Sequence, residues 1–238
     1  MRLSQRISLL SAALLPLTAA HFQVVEPPTR GSDTDKMTTF PCGGYDTPSS
    51  SRTQISLDDP RVAIAMKMGH DQAAVQVLLG LGNNPGSNFN ISVVPTFRQM
   101  GLGDFCLSSV GLGPDVIGFE IEDGMNATLQ VLSNGDPNGG LYHCADITFS
   151  RTAQFETPDS CKNGTGVTAV PLSGEAAARN ANESTANGGA QNGGDSGHSH
   201  PSGTDTGAQP TSTNFAVALE TAAWGAVGAA IAGAVALL

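Results

Sequence analysis

The feature that most constrains the fold is a series of short apolar segments, rich in β-branched residues and separated by turn-forming residues. Each segment is too short for a typical helix and is bounded by Pro, Gly, Asn or Asp, which is typical of strands. The predicted strands are 22–25, 61–66, 74–79, 90–96, 116–121, 128–132 and 142–149. About seven short strands with polar turns predict an all-β protein, an antiparallel β-sandwich.

Residues 1–20 have the order of a secretory signal peptide. Arg2 and Arg6 precede a short apolar run, which ends in the small residues Thr18-Ala19-Ala20. This order of charge, apolar core and small residues is more typical of a signal than of a buried N-terminal helix, the alternative interpretation. Cleavage after Ala20 would make His21 the first residue of the mature protein.

Residues 214–238 form a terminal apolar tail that carries no charge from residue 222 onward. Because a polar stretch of small residues precedes this tail, the pattern predicts a GPI-attachment signal that is removed during processing. The attachment candidates are Ser212, Asn214 and Gly207, and the sequence does not separate them. A short transmembrane helix is the alternative interpretation.

Residues 173–213 are dominated by Gly, Ala, Asn, Ser and Thr, a composition that predicts a disordered stalk. Within it, His198-Ser199-His200 could bind a metal weakly, although a solvated linker explains the pair better. The remaining residues, 21–172, suit one domain. The formal net charge of −10 excludes nucleic acid as a partner, because phosphate backbones would be repelled.

Secretion also predicts disulfide bonds between the cysteines and glycosylation at the sequons. An even number of cysteines in an oxidising compartment predicts disulfides, and four cysteines allow three pairings. The cysteines are Cys42, Cys106, Cys144 and Cys161. Four Asn-x-Ser/Thr sequons, each predicted to lie at the surface if glycosylated, begin at Asn90, Asn126, Asn163 and Asn182.

Three histidines lie in the predicted domain: His21, His70 and His143. A free N-terminal histidine offers its amine and a ring nitrogen to one metal ion, and a second histidine completes a three-nitrogen array. This donor set suits Cu(II), which favours tetragonal nitrogen and oxygen ligation. His70 lies at the predicted tip of the hairpin formed by 61–66 and 74–79, so it is the candidate second ligand. The alternative interpretation is that His21 follows the cleavage site by chance.

Three motifs carry a resemblance to a known family. Residues 21–31, HFQVVEPPTRG, resemble the start of mature fungal proteins related to lytic polysaccharide monooxygenases. Gly69-His70-Asp71 is similar to their internal histidine motif, and Cys144-Ala145-Asp146-Ile147-Thr148 to a late strand that reaches the copper. With the GPI signal, these motifs resemble the cell-surface branch typified by copper acquisition factors. The resemblance covers residues 21 to about 161.

The resemblance implies an immunoglobulin or fibronectin III-like sandwich in which His21, His70 and Asp146 hold one Cu(II). Strand alternation agrees in placing Asp146 on the same face as Cys144 and opposite His143, which is interpreted as structural or surface. An exposed polar residue is the alternative interpretation of Asp146. Asp71 is a rival ligand, but its adjacency to His70 favours an orienting role.

Of the three disulfide pairings, we favour Cys42–Cys144 with Cys106–Cys161. The first would join the loop between the two brace histidines to the strand of Asp146. The second would tie the following loop to the end of the domain.

The chain departs from the oxidative branch of these proteins in two ways. Asp146 stands where an axial Tyr or Phe is expected, and the only tryptophan, Trp224, lies in the tail that is removed. We therefore predict a non-catalytic copper-binding protein at the outer face of the plasma membrane or in the cell wall. Its expected partners are copper, the membrane through a GPI lipid, and a wall glycan or copper transporter. The alternatives are a copper-dependent polysaccharide monooxygenase acting on a wall glycan, and a structural wall glycoprotein without metal.

Overall fold

The computed structural model describes residues 21–135 and 137–191. The predicted signal peptide, the GPI-attachment candidates, the His198-Ser199-His200 pair and the apolar tail lie outside the described residues. The described strands are β1 Phe22–Glu26, β2 Thr53–Ser56, β3 Arg61–Met68, β4 Gln72–Leu81, β5 Ile91–Met100, β6 Gly103–Gly111, β7 Asn126–Asn134, β8 Gly140–Ser150 and β9 Thr168–Pro171. Two short α-helices, α1 Pro114–Ile117 and α2 Glu175–Ala178, and a 3₁₀ helix at Ala181–Glu183 complete the described elements. No helix among them is long and apolar enough to cross a membrane.

The strands form two sheets. One sheet has three strands in the order β1-β3-β6, and the other has six strands in the order β2-β8-β7-β4-β5-β9. Described neighbours pair antiparallel except β2 and β8, which run parallel. The prediction of an all-β sandwich is therefore confirmed, with one parallel pair at an edge of the larger sheet.

The core lies between the two sheets, and strand alternation explains which residues fill it. On β3, Ile64 and Met66 point inward, and on β8 Ala145, Ile147 and Phe149 do the same. Burying a large apolar side chain of this kind contributes roughly 1.5–3 kcal/mol relative to leaving it exposed. These inward positions hold the two sheets together and so fix where the ends of β1, β3 and β4 meet.

One predicted strand is wrong. Residues 116–121 contain no strand, because helix α1 begins at Pro114 and ends before Gly118, whose φ is +93°. Proline at the first turn and a left-handed glycine just past the end are the residues that favour a short helix. Strands β2, β6 and β9 had no apolar pattern strong enough to predict them.

The folded part of the chain extends past the predicted boundary at residue 172. Residues 173–191 contain α2 and the 3₁₀ helix and pack on the larger sheet, where Ala181 is fully buried. The Thr96 hydroxyl donates to the Arg179 carbonyl at 2.6 Å, and the backbone N–H of Ala181 donates to the Gln76 side chain at 3.1 Å. Small residues allow this close approach, so residues 173–191 belong to the fold and not to the predicted stalk.

Both predicted disulfides are confirmed. Cys42 pairs with Cys144, and Cys106 pairs with Cys161. The first bridge attaches the loop between β1 and β2 to the outer face of β8. The second attaches the segment before β9 to β6, across a sequence separation of 55 residues. Each closes a long loop, which in the chain-entropy description stabilises a fold by about 3–5 kcal/mol.

Candidate metal centre

His21 and His70 line the same cleft at one end of the sandwich. His21 immediately precedes β1, and His70 lies in the turn between β3 and β4. The antiparallel register pairs Phe22 with Met68, so the start of β1 lies beside the end of β3. The two histidines that the sequence predicted as partners are therefore brought together by the pairing of the first two strands of the small sheet.

Gly69 allows the close approach between the chain start and the turn. Its backbone N–H donates to the carbonyl oxygen of His21 at 3.0 Å. A Cβ atom on residue 69 would lie 2.3 Å from that oxygen, well inside the distance that real Cβ atoms tolerate. A side chain at this position would consequently push His21 away from His70.

The residues present in the cleft fit a three-nitrogen copper site. Two histidines line the cleft, and removal of residues 1–20 would add the α-amine of His21, for which Cu(II) has high affinity. No group of three or more His, Cys, Asp or Glu side chains that could hold a metal occurs among the described residues. The α-amine that would supply a third nitrogen depends on processing at Ala20, which is a prediction from the sequence.

Asp146 does not join the two histidines, so its prediction as a copper ligand is wrong for this structure. Arg30 donates to both carboxylate oxygens, at 2.9 Å through Nε and 2.8 Å through Nη2. The backbone N–H of Ser49 and the hydroxyl of Thr128 each donate a further bond, both at 2.7 Å. The Asp146 side chain has no exposed surface, and these four bonds occupy its oxygens.

The strand register shows how far Asp146 lies from the cleft. Asp146 pairs with Thr128 on β7, and Thr128 pairs with Gly80 near the end of β4. The cleft is at the opposite end of β4, where Gln72 lines it. At about 3.3 Å per residue, Gln72 and Gly80 are roughly 25 Å apart. Alternation predicted the face of Asp146 correctly, but its position along the strand excludes it from the site.

The Asp146 carboxyl is nevertheless held ionised. Burial acts to raise its pKa, but the hydrogen bonds from Arg30, Ser49 and Thr128 outweigh burial and hold the pKa below its usual value. Arg52 adds a second guanidinium, with Nη1 3.8 Å from a carboxylate oxygen. Asp146 therefore joins the loop between β1 and β2 to β8 through a buried ion pair.

His143 is in the interior and not at the surface. Its ring is 2% exposed, and Nε2 lies 3.1 Å from the carbonyl oxygen of Phe22. The Phe22 ring meets it edge-on, with centroids 4.9 Å apart. Burial lowers the pKa of His143, against the opposing effect of hydrogen bonds to the Phe22 and Gly31 backbone. His143 thus supports the start of β1, next to His21, from inside the sandwich.

Asp71, the rival ligand, is exposed and is not among the residues lining the cleft. Its carbonyl accepts a 2.8 Å hydrogen bond from the N–H of Gly101 in the turn between β5 and β6. This bond ties the His70 turn to the neighbouring turn, and the role of Asp71 in orienting His70 stays a prediction.

The four sequons fall into two structural groups. Asn90 and Asn163 are exposed. The Asn126 side-chain oxygen accepts a 2.6 Å bond from Thr148, and Asn182 hydrogen-bonds to the Tyr142 side chain; both asparagines are half-buried. Glycosylation at all four positions stays a prediction. Asn90 and Asn163 are the more accessible acceptors because they are exposed.

Fold and cleft together define a class: a two-sheet β-sandwich with paired histidines at one end, one of them at the start of the first strand. Residues 19–166 match the family described as copper acquisition factor BIM1-like. This match spans more than half of the chain, so the protein belongs to that family. The resemblance inferred from the sequence motifs is confirmed.

Individual relatives agree with this assignment. The chain is 56% identical over 234 residues to an uncharacterized protein of Aspergillus fumigatus, covering 95% of this chain and 96% of that one. It is 30% identical over 190 residues to the lytic polysaccharide monooxygenase-like protein ham-7 of Neurospora crassa, covering 69% and 81%. It is 28% identical over 177 residues to the lytic polysaccharide monooxygenase-like protein X325 of Yarrowia lipolytica, covering 71% and 64%.

Proposed function

We propose that this protein is a cell-surface copper-binding protein that holds one Cu(II) through the amine and ring of His21 and the ring of His70. The observation that carries the proposal is that the two histidines line one cleft, where Gly69, the residue before His70, donates a hydrogen bond to the His21 carbonyl. The family indicates copper as the metal, since it is described as a copper acquisition factor family. Copper is the cargo of this site.

The chemistry of the donors sets the conditions for binding. Both imidazoles and the amine have to lose their protons before they bind a metal, so copper affinity should fall in acid. A Cu(II) ion also accepts oxygen ligands, and Gln72, Ser133 and Asn134 bring polar groups to the cleft wall. Asp146 has no place in the proposed site, which is a change from the four-ligand arrangement predicted from the sequence.

Processing and anchoring complete the proposal. Signal cleavage after Ala20 creates the amine ligand, and attachment of a GPI lipid at Gly207, Ser212 or Asn214 places the protein at the outer face of the plasma membrane or in the cell wall. Release of the protein from intact cells by a phosphatidylinositol-specific phospholipase would support the anchor. Retention on the cells after that treatment would contradict it.

The second candidate is a copper-dependent polysaccharide monooxygenase, favoured by the names of the Neurospora and Yarrowia relatives. Aromatic platforms that stack on sugars are poorly represented here. Of the described aromatic residues only Phe119 is prominently exposed, and Tyr142 is buried. We therefore expect no oxidised oligosaccharides when copper-loaded protein is incubated with a reductant and chitin, glucan or mannan.

A pair of proteins that differ by one residue tests the site. One begins at His21, and its matched control retains Ala20, so that every side chain is present but the amine no longer belongs to His21. We expect the form that begins at His21 to bind Cu(II) more tightly than the control by at least about tenfold, with a different electron paramagnetic resonance spectrum. His70→Gln should weaken binding in the first form. Equal affinities and identical spectra for the two forms would overturn the proposed site.

A further inference from the structure

Met68 is one of the residues that line the cleft of His21 and His70. It is the last residue of β3, pairs with Phe22 across the small sheet, and precedes His70 by two positions. The residue is 3% exposed and lines the cleft together with His21 and His70. A thioether is therefore part of the wall that would surround a bound ion.

A thioether in this position changes which oxidation state of copper the cleft can hold. Sulfur of methionine is a soft ligand that binds Cu(I), whereas Cu(II) favours nitrogen and oxygen. The cleft offers both kinds of donor, because histidines, polar residues and Met68 all line it. Imidazole binds copper in either state.

Met68 has different surroundings from Met66, the other methionine on the same face of β3. Val62, Ile64, Met66 and Met68 all face the core, as alternation requires. Met66 is 1% exposed and packs within the core two residues further from the strand end, while Met68 reaches the cleft. Two methionines on one face of one strand thus differ in whether they meet the cleft.

We propose that the thioether of Met68 is a ligand for Cu(I) in the cleft, beside the imidazoles of His21 and His70. The inference rests on the proposed function and extends it, because the same site then holds copper in both oxidation states. The set of ligands changes with the oxidation state of copper. Nitrogen and oxygen donors surround Cu(II), and the thioether joins the imidazoles around Cu(I).

The experiment compares Met68→Leu with the matched control Met66→Leu in protein that begins at His21. Both changes keep the volume of the side chain, so both variants should fold. Cu(I), added as its acetonitrile complex without oxygen, is titrated against a chromophoric chelator, and Cu(II) affinity is measured separately. We expect Met68→Leu to lower Cu(I) affinity by about tenfold while Cu(II) affinity stays within about twofold, and Met66→Leu to change neither. That loss corresponds to a fall of about 59 mV in the copper reduction potential.

X-ray absorption on the wild-type protein gives a test that does not depend on a variant. We expect a sulfur scatterer in the first shell of Cu(I) and none around Cu(II). Unchanged Cu(I) affinity in Met68→Leu, or a Cu(I) shell without sulfur, would overturn the role of Met68 and leave the histidine site intact. Failure of the wild type to bind Cu(II) through His21 would instead overturn the proposed function itself.

Discussion

The backbone N–H of Gly69 donates a 3.0 Å hydrogen bond to the carbonyl oxygen of His21. This bond connects the first residue of the described chain to the residue before His70, so one backbone contact sets the spacing of both candidate ligands. The contact needs a glycine, because a Cβ atom there would lie 2.3 Å from the same oxygen. The spacing of the two histidines therefore depends on residue 69 as much as on the ligands.

Replacing this glycine should damage the metal site more than the fold. We expect Gly69→Ala to lower Cu(II) affinity by about tenfold or more, because the added methyl group displaces His21 from His70. Gly111→Ala is a matched control, since its Cβ would meet its nearest neighbour, in Val116, at an ordinary 3.9 Å. Calorimetric titration measures both variants. Equal affinities in the two would show that the approach of residue 69 to His21 does not set the site.

Asp146→Asn should lower the stability of the fold without altering copper binding. Removing the charge leaves the buried Arg30 guanidinium without its ion-pair partner, and such losses typically cost about 3–5 kcal/mol. Chemical denaturation measures the change in the free energy of unfolding. The electron paramagnetic resonance spectrum of bound Cu(II) should match the wild type. A changed spectrum would indicate that Asp146 is a copper ligand after all.

The same carboxylate should make the fold sensitive to strong acid. The pKa of Asp146 lies below its unfolded value of about 3.9, so its contribution to stability is complete above that pH and is lost as the pH falls through the folded pKa. We expect the free energy of unfolding to drop below about pH 4 and the slope of that drop to shrink in Asp146→Asn. A wild-type slope in the variant would assign the acid sensitivity to other carboxylates.

His143 should produce a second pH dependence nearer neutrality. Its folded pKa is lowered by burial, so as the pH falls below about 6.5 the unfolded chain takes up the proton first and stability declines. His143→Gln keeps a polar group near the Phe22 carbonyl and removes this titration. Denaturation of copper-free protein between about pH 5 and 8 should show the slope in the wild type and a smaller one in the variant. Identical slopes would contradict the assignment.

The sequons should not be used equally. We expect higher occupancy by N-linked glycan at Asn90 and Asn163, which are exposed, than at Asn126 and Asn182, which are half-buried. Mass spectrometry of secreted protein, after enzymatic removal of the glycans in heavy-oxygen water, measures each site. High occupancy at Asn182 would mean that the contact with Tyr142 is broken in the mature protein.

Sequence patterns predicted the parts of the fold that depend on local chemistry. Alternation located β3, β7 and β8 and placed Cys144 and Asp146 on one face, and the His21 and His70 pairing followed from two motifs. The partner of Asp146 could not be predicted in this way, because Arg30 is 116 residues away in a loop without periodicity. Residues 173–191 were misjudged for a similar reason: their small side chains bury little surface, and what holds them is hydrogen bonding to Gln76 and Thr96 on distant strands.

The last described residue bears on how recombinant protein should be made. The Gln191 side chain both accepts from the N–H of Gly139 and donates to its carbonyl, and Gly139 is bonded in turn to Gly135, next to Asn134 of the cleft wall. An affinity tag fused directly after Gln191 would therefore begin near the cleft of His21 and His70, where a run of tag histidines would compete for an added copper ion. An N-terminal tag would block the amine. Purification on a removable fusion, or on a tag without histidines, follows directly from the position of Gln191 beside Gly139.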